Sequence, residues 1–417
     1  MNKVQIISTS CNRRELELEQ VKSFFEGNGY TASEEDFETD QSADVIVLST
    51  CGFTQAAEDF GLKTLAKIEK EKKPECEVIV GGCLPKINAE SLKGYKLFDP
   101  RNYEKLDEYF NFDKKFKDFP RPNKIGEWQM HAAYREHGLM SSDKNSIDEI
   151  GKKTVEENIK NVKEIGTLIR ESKDGSFRIQ CLVGCACKCT YCAIKFAIGN
   201  IKSRPIDEII KEVKSGIKQG YKSILLEGDS LGGYGLDIKT NLGELLEKII
   251  ETVENTDVQI SVPDVSPRYL DICYKQIIRL ANLKKLFNFY IPIQSGSQEL
   301  LNAMKRGYDI ENAKEYILKI KEASPELKFG TSVIVGFPGE TLADFEKTIS
   351  VCRELKFDYI YCHSYSERKG TEASNYLDKV DGKEILRRSR ELKNTLKEYT
   401  PYITIAEDTA GNRTCQG

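Results

Sequence analysis

The sequence predicts an α/β protein: an N-terminal parallel-sheet domain with Rossmann-like layering, followed by a partial (β/α)6 barrel. Two observations carry this. Short β-branched runs alternate with amphipathic helical segments in both halves of the chain, the pattern of a parallel sheet with helices on its faces. Cysteine- or glycine-rich stretches follow the strand ends, where such folds bind ligands. The expected boundaries are 1–110 for the first domain, 111–175 for a connector, 176–380 for the barrel and 381–417 for a closing helix and tail without a C-terminal β-barrel.

In the first domain, strands are expected at Val4–Ser8, Asp44–Ser49 and Glu77–Gly81, with helices at Arg13–Gly27 and Gln55–Lys72. Cys11, Cys51 and Cys83 each follow one of these strands by two or three residues. The carboxyl ends of parallel strands share one edge, so three cysteines distant in sequence fall at one topological position. A lone cysteine there reads best as a small buried hydrophobe. Three at matching positions, two of them beside glycine (Gly52; Gly81 and Gly82), read instead as ligands of an iron–sulfur cluster with one open iron. The connector is polar. Its His131 and His137 read as solvated loop residues, Trp128 as a packing anchor, and 146–171 as a helical stretch.

Barrel strands are expected at Phe177–Gln180, Ser223–Leu226, Val258–Val262, Phe289–Ile293, Lys328–Val335 and Tyr359–Ser364. Helices between them include Ile206–Lys218, Leu242–Val253 and Leu342–Leu355. After the first strand come Cys185, Cys189 and Cys192, spaced C-x3-C-x2-C. Three thiolates on one tight loop grip three corners of a four-iron cluster and leave one iron open for chemistry. Cys187, inside the motif, reads as a bystander. Polar or glycine-rich stretches follow the other strands: Glu227–Ser230, Asp264–Pro267, Gln294–Ser297, Gly336–Glu340 and Ser364–Arg368. Together they suit a large cofactor with amine, carboxylate, ribose and purine groups. After the helix Asp381–Tyr399, eighteen residues remain. They are too few for a small β-barrel and are expected to form a disordered tail.

Composition narrows the class. A net charge of -4 gives no global basic excess for nucleic acid. Thirteen cysteines in a chain whose N-terminus lacks signal-peptide character favour a metal or redox role in a reducing cytoplasm. No run approaches the length of a membrane span.

These residues resemble the radical S-adenosylmethionine (SAM) superfamily and, within it, the methylthiotransferase family. The carrying motifs are Gly184-x4-Cys189-Thr190-Tyr191-Cys192, Ser203-Arg204-Pro205, Tyr234-Gly235-Leu236-Asp237, Ile291–Ser297, Met304-Lys305-Arg306, Ile334–Glu340 and Tyr365–Thr371. In the first domain Ser49–Phe53 and Gly81–Leu84 match the family's cluster-binding part. The resemblance implies two 4Fe-4S clusters, one on Cys185, Cys189 and Cys192 and one on Cys11, Cys51 and Cys83. It implies SAM contacts from Tyr191, Arg204, Gly228, Asp229, Asp264, Gln294, Arg306 and Val335, with Arg306 facing the SAM carboxylate. The implied reaction is hydrogen abstraction from an unactivated carbon and transfer of a methylthio group to it. A low-potential donor such as flavodoxin or ferredoxin would supply electrons. Ser10, Ser49, Tyr290 and Ser332 depart from the family's usual glycine, asparagine, histidine and aspartate. The missing barrel and the acidic balance point to a peptide or protein substrate. The alternatives are a tRNA adenosine, reached through basic surfaces such as Arg387-Arg388-Ser389-Arg390, or an auxiliary cluster used only for electron transfer.

Overall fold

The structure is a computed structural model of the 417-residue chain. It describes residues 2–33, 38–125 and 175–406, together with 157, 158, 160, 161, 164 and 165. The chain divides into two compact units. One holds residues 1–146, 192–199 and 367–370; the other holds 147–191, 200–366 and 371–417. Trp128, His131, His137 and Cys415 lie outside the described residues, as does most of the helix expected over 146–171. Its six described positions are helical.

The first unit contains a sheet of five parallel strands: β1 (Lys3–Ser8), β2 (Thr31–Ala32), β3 (Val45–Thr50), β4 (Glu77–Gly82) and β5 (Lys96–Leu97), in the order β2-β1-β3-β4-β5. Alternate residues of a strand face opposite sides, and both sides here are apolar, as in sheets covered by helices. Val4, Ile6, Val45 and Val47 pack against Leu18, Val21, Phe24 and Phe25 of the helix Glu15–Gly27. Ile7, Ile46 and Leu48 pack with Leu65 and Ile68 of the helix Gln55–Glu71. That second helix starts where Thr54 accepts the Ala57 N–H, satisfying one of the orphan donors of a first turn. Phe112, Phe116 and Phe119 ring Phe24 at centroid distances of 5.3, 5.7 and 5.9 Å. The chain past residue 110 thus extends the core of this sheet.

The second unit is built on a seven-stranded parallel sheet. Its strands are β6 (Phe177–Gln180), β9 (Ser223–Glu227), β10 (Gln259–Val262), β11 (Leu286–Tyr290), β12 (Lys328–Val335), β13 (Tyr359–Ser364) and β14 (Tyr402–Ala406), in the order β14-β13-β12-β11-β10-β9-β6. A small antiparallel ribbon, β7 (Leu182–Val183) with β8 (Lys202–Ser203), carries the chain out of β6 and back. One face of the sheet is apolar. Ile179, Leu226, Ile260, Phe289, Val333 and Ile360 pack there with Val213, Leu246, Ile277, Ile317, Ile349 and Leu392 of the surrounding helices. Several residues one step along point the other way and are polar. Arg178 pairs with Glu227, Tyr359 Oη donates to Asn288 Oδ1 at 3.0 Å, and Asn288 Nδ2 donates to Ser261 Oγ at 3.2 Å. Helices begin at capping side chains: Asn241, Asp309, Thr341 and Asp381 each accept a first-turn N–H.

Two expectations change. The fourth barrel strand is Leu286–Tyr290, three residues earlier than Phe289–Ile293. Pro292 has no N–H for the ladder, so regular pairing stops before it. Contact with β12 resumes only as an isolated bridge from Gln294 to Val333. The tail is not all disordered, because Tyr402–Ala406 adds a seventh strand beside β13. Its alternation of β-branched residues fits that edge. Asn158 closes the exposed side: its Nδ2 donates to Ile405 O at 2.7 Å and its Oδ1 accepts the Ile405 N–H at 3.0 Å.

Candidate active site

Cys11, Cys51 and Cys83 stand past the carboxyl ends of β1, β3 and β4, three neighbouring strands. Thr50 and Gly82 are register partners, so Cys51 and Cys83 leave adjacent strands at the same level. The Cys83 N–H donates to Thr50 O at 2.9 Å. Gly82 makes this approach possible. Its φ is +90°, and a Cβ there would lie 2.2 Å from Thr50 O. Ser10 and Ser49, two departures from the family's usual residues, meet each other. Ser49 Oγ donates to Ser10 Oγ at 3.0 Å, and Thr9 N–H donates to Ser49 O at 2.8 Å, tying the Cys11 loop to β3. Cys51 and Cys83 are buried and Cys11 is half-buried.

The second cysteine loop starts at Gly184, whose φ is +94° and whose missing Cβ would sit 2.1 Å from Asn200 O. Its N–H donates to Asp229 Oδ2 at 2.8 Å, so Asp229 shapes the loop directly. Thr190 anchors it further on. Its N–H reaches Met304 O (3.1 Å), its hydroxyl Ala303 O (3.0 Å), and its carbonyl accepts the Ala373 N–H (2.9 Å). Cys185 and Cys192 are half-buried and Cys189 is buried. Tyr191 packs with Leu300, Met304, Ile334, Phe337 and Ala373.

The remaining predicted residues take distinct places. Arg306 is buried and donates to Cys189 Sγ and Tyr191 Oη, both at 3.3 Å, and to Ser266 Oγ (3.1 Å) and Pro292 O (2.9 Å). Gln294 has φ +67°, with its backbone held on both sides by β12 through Ser332 O and the Ile334 N–H. Its Oε1 is buried without a hydrogen-bond partner among the described residues, as is Arg306 Nε. Asp264 also has a left-handed backbone, with φ +57°. A Cβ on Gly228 would lie 2.9 Å from Leu182 Cγ. Arg204 turns to Gln180 O and to Glu212. Val335 points into the helix-covered core, and its neighbour Ile334 is the residue that joins Tyr191.

Sequence reasoning set Cys187 aside and gave Ser266 no role of its own within the Asp264–Pro267 stretch. Cys187 donates its N–H to Cys185 Sγ at 3.3 Å, and its thiol lies 3.8 Å from Tyr269 Oη. A hydrogen bond with Cys187, and then burial, raises the Cys189 thiol above its usual range. Burial pushes Cys181, Cys273 and Cys362 up to about 12, the behaviour of inert core thiols. His363 shares a face of β13 with Tyr361 and is pushed down to about 4 by burial, so it is neutral near pH 7. The Gly336–Glu340 turn is locked by Glu340, which accepts from the Gly336 N–H at 2.7 Å and from Arg388 at 2.9 Å. In the run Arg387-Arg388-Ser389-Arg390 the first two arginines are ion-paired: Arg388 with Glu340 and Glu384, and Arg387 with Glu384 and Glu391.

Among the described residues, no three His, Cys, Asp or Glu side chains gather closely enough to hold a metal ion. The donor chemistry nevertheless fits iron–sulfur ligation. Cys51, Cys185 and Cys189 each already accept an N–H, from Phe53, Cys187 and Arg306, the outer contacts that stabilise cluster thiolates. The buried Gln294 Oε1 and Arg306 Nε offer an acceptor and a donor suited to an ammonium and a carboxylate.

Comparison with known proteins defines the class first. Residues 179–352 match the radical SAM superfamily model, and residues 3–98 match the uncharacterized protein family UPF0004. The fold resembles a radical SAM methyltransferase from Kitasatospora setae, with TM-score 0.54, 13% identity, and coverage of 87% of this chain and 73% of that one. Among similar curated proteins is a tRNA-2-methylthio-N(6)-dimethylallyladenosine synthase of Clostridium botulinum, 30% identical over 94% of this chain and 80% of the relative. Another is a probable threonylcarbamoyladenosine tRNA methylthiotransferase of Methanocaldococcus jannaschii, 28% identical over 96% of this chain and 84% of the relative. The chain belongs to the radical SAM methylthiotransferase family, and is an enzyme that uses SAM and two 4Fe-4S clusters. No helix among the described residues is long and apolar enough to cross a membrane.

Proposed function

We propose that this enzyme transfers a methylthio group to an adenosine of tRNA. The observation that carries this reading is the extent of its likeness to relatives named as tRNA methylthiotransferases, which spans 94–96% of the chain. The peptide preference drawn from the sequence rested on net charge and on the length after the last helix. A net charge of -4 does not exclude a local RNA-binding surface.

In this reading Cys185, Cys189 and Cys192 hold the SAM-binding cluster, and Cys11, Cys51 and Cys83 hold the auxiliary one. When bound, these groups supply reductive cleavage of SAM and the sulfur that is transferred. The chain supplies position. Thr190 and the Gly184–Asp229 contact fix the cysteine loop. Gln294 offers a buried acceptor on a backbone that β12 holds rigid. The Ser10–Ser49 bond holds the Cys11 loop to its neighbouring strand. Tyr191, Gly228, Asp229, Asp264 and Arg306 complete the SAM-binding set.

The test is anaerobic incubation of the reconstituted enzyme with SAM, reductant and either tRNA lacking the modification or candidate peptides. The expected product is a tRNA nucleoside heavier by one methylthio group less the hydrogen it replaces. Methylthio product in peptides and none in tRNA would overturn the substrate class and leave the reaction class standing.

A further inference from the structure

Arg306 is 5% exposed. It follows Lys305, whose φ is +55°, and precedes Gly307, whose φ is +68°. The irregular backbone directs the side chain inward. Its four acceptors are the Cys189 sulfur, the Tyr191 and Ser266 hydroxyls and the Pro292 carbonyl, and none carries a formal charge in this form. Among the described residues no carboxylate pairs with it. A buried guanidinium without a counter-charge is costly, and that cost falls when an anion joins it. Ser266 and Pro292 hold one end of the guanidinium fork, and the other end is shared by the Cys189 sulfur and the Tyr191 hydroxyl.

We propose that Arg306 sets the reduction potential of the cluster on Cys185, Cys189 and Cys192 by keeping a cationic N–H donor on the Cys189 sulfur. The inference rests on the ligand assignment above. Reducing a cluster adds negative charge that its ligand sulfurs share. Hydrogen bonds to those sulfurs and nearby positive charge stabilise the reduced form, more so in a low-dielectric interior. Arg306 is thus a positioning residue for electron entry, in addition to any contact its Nε makes with SAM.

The experiment is a redox titration of the holoenzyme, following by electron paramagnetic resonance the cluster signal that SAM addition perturbs. Arg306→Gln, with iron content retained, is expected to shift the potential to a more negative value. Arg306→Lys keeps the charge and loses the fork, and should fall between the two. Ser266→Ala removes one anchor and should shift the potential the same way by less. Potentials of all three variants equal to or above wild type would overturn the proposal. Should Arg306→Gln lose iron, the Lys and Ser266→Ala variants decide by the same criterion. A SAM-perturbed signal that persists in Cys189→Ala would instead show that the ligand assignment is wrong.

Discussion

Gly82 and Glu340 show how single residues hold the candidate site. Gly82→Ala would place a Cβ 2.2 Å from Thr50 O at a φ of +90°. The expected result is a loss of at least ~1 kcal/mol of stability, read by thermal unfolding, together with less iron bound by the first domain. Burial raises Glu340 to about 7, against the lowering pull of the Gly336 N–H and Arg388. A carboxyl raised in the fold contributes stability that is full at low pH and is lost as pH rises through its folded value. Denaturation midpoints of wild type should therefore fall between about pH 5 and pH 8, and Glu340→Gln should flatten that part of the profile. Departures from family type are also legible at this scale only in pairs. Ser10 and Ser49 look like separate substitutions in sequence and form one hydrogen bond in the fold.

At the scale of elements, reading worked where the signal was local. The strands Phe177–Gln180, Lys328–Val335 and Tyr359–Ser364 and the helices Ile206–Lys218, Leu242–Val253 and Leu342–Leu355 have the bounds their patterns predict. β11 was misplaced because the apolar run continues through Ile291 and Ile293 while Pro292 ends the ladder. β14 escaped notice because what makes it a strand is distant: β13 on one side and Asn158 on the other. Asn158→Ala leaves the Ile405 N–H and C=O without that partner. It should cost roughly 1–3 kcal/mol and speed amide exchange at Ile405. Unchanged exchange would show that the cap is dispensable.

For the whole molecule, the cysteine positions made the chemistry readable. Two sets of three fall at strand ends of two parallel sheets, and only the spacing of the second is local. Second contacts were not readable. Arg306 reaches Ser266 across 40 positions and Cys189 across 117, a convergence that no spacing rule encodes. The peptide preference drawn from the sequence has no such local basis, since overall charge says little about a local surface.

The central claim is that the auxiliary cluster held by Cys11, Cys51 and Cys83 supplies sulfur rather than only electrons. Nucleoside mass spectrometry on tRNA treated anaerobically with wild type and Cys51→Ala tests it most directly, with 5′-deoxyadenosine measured in the same samples. Wild type should give both methylthiolated adenosine and 5′-deoxyadenosine, and Cys51→Ala should give 5′-deoxyadenosine alone. Methylthiolated adenosine from Cys51→Ala at the wild-type level would contradict the account.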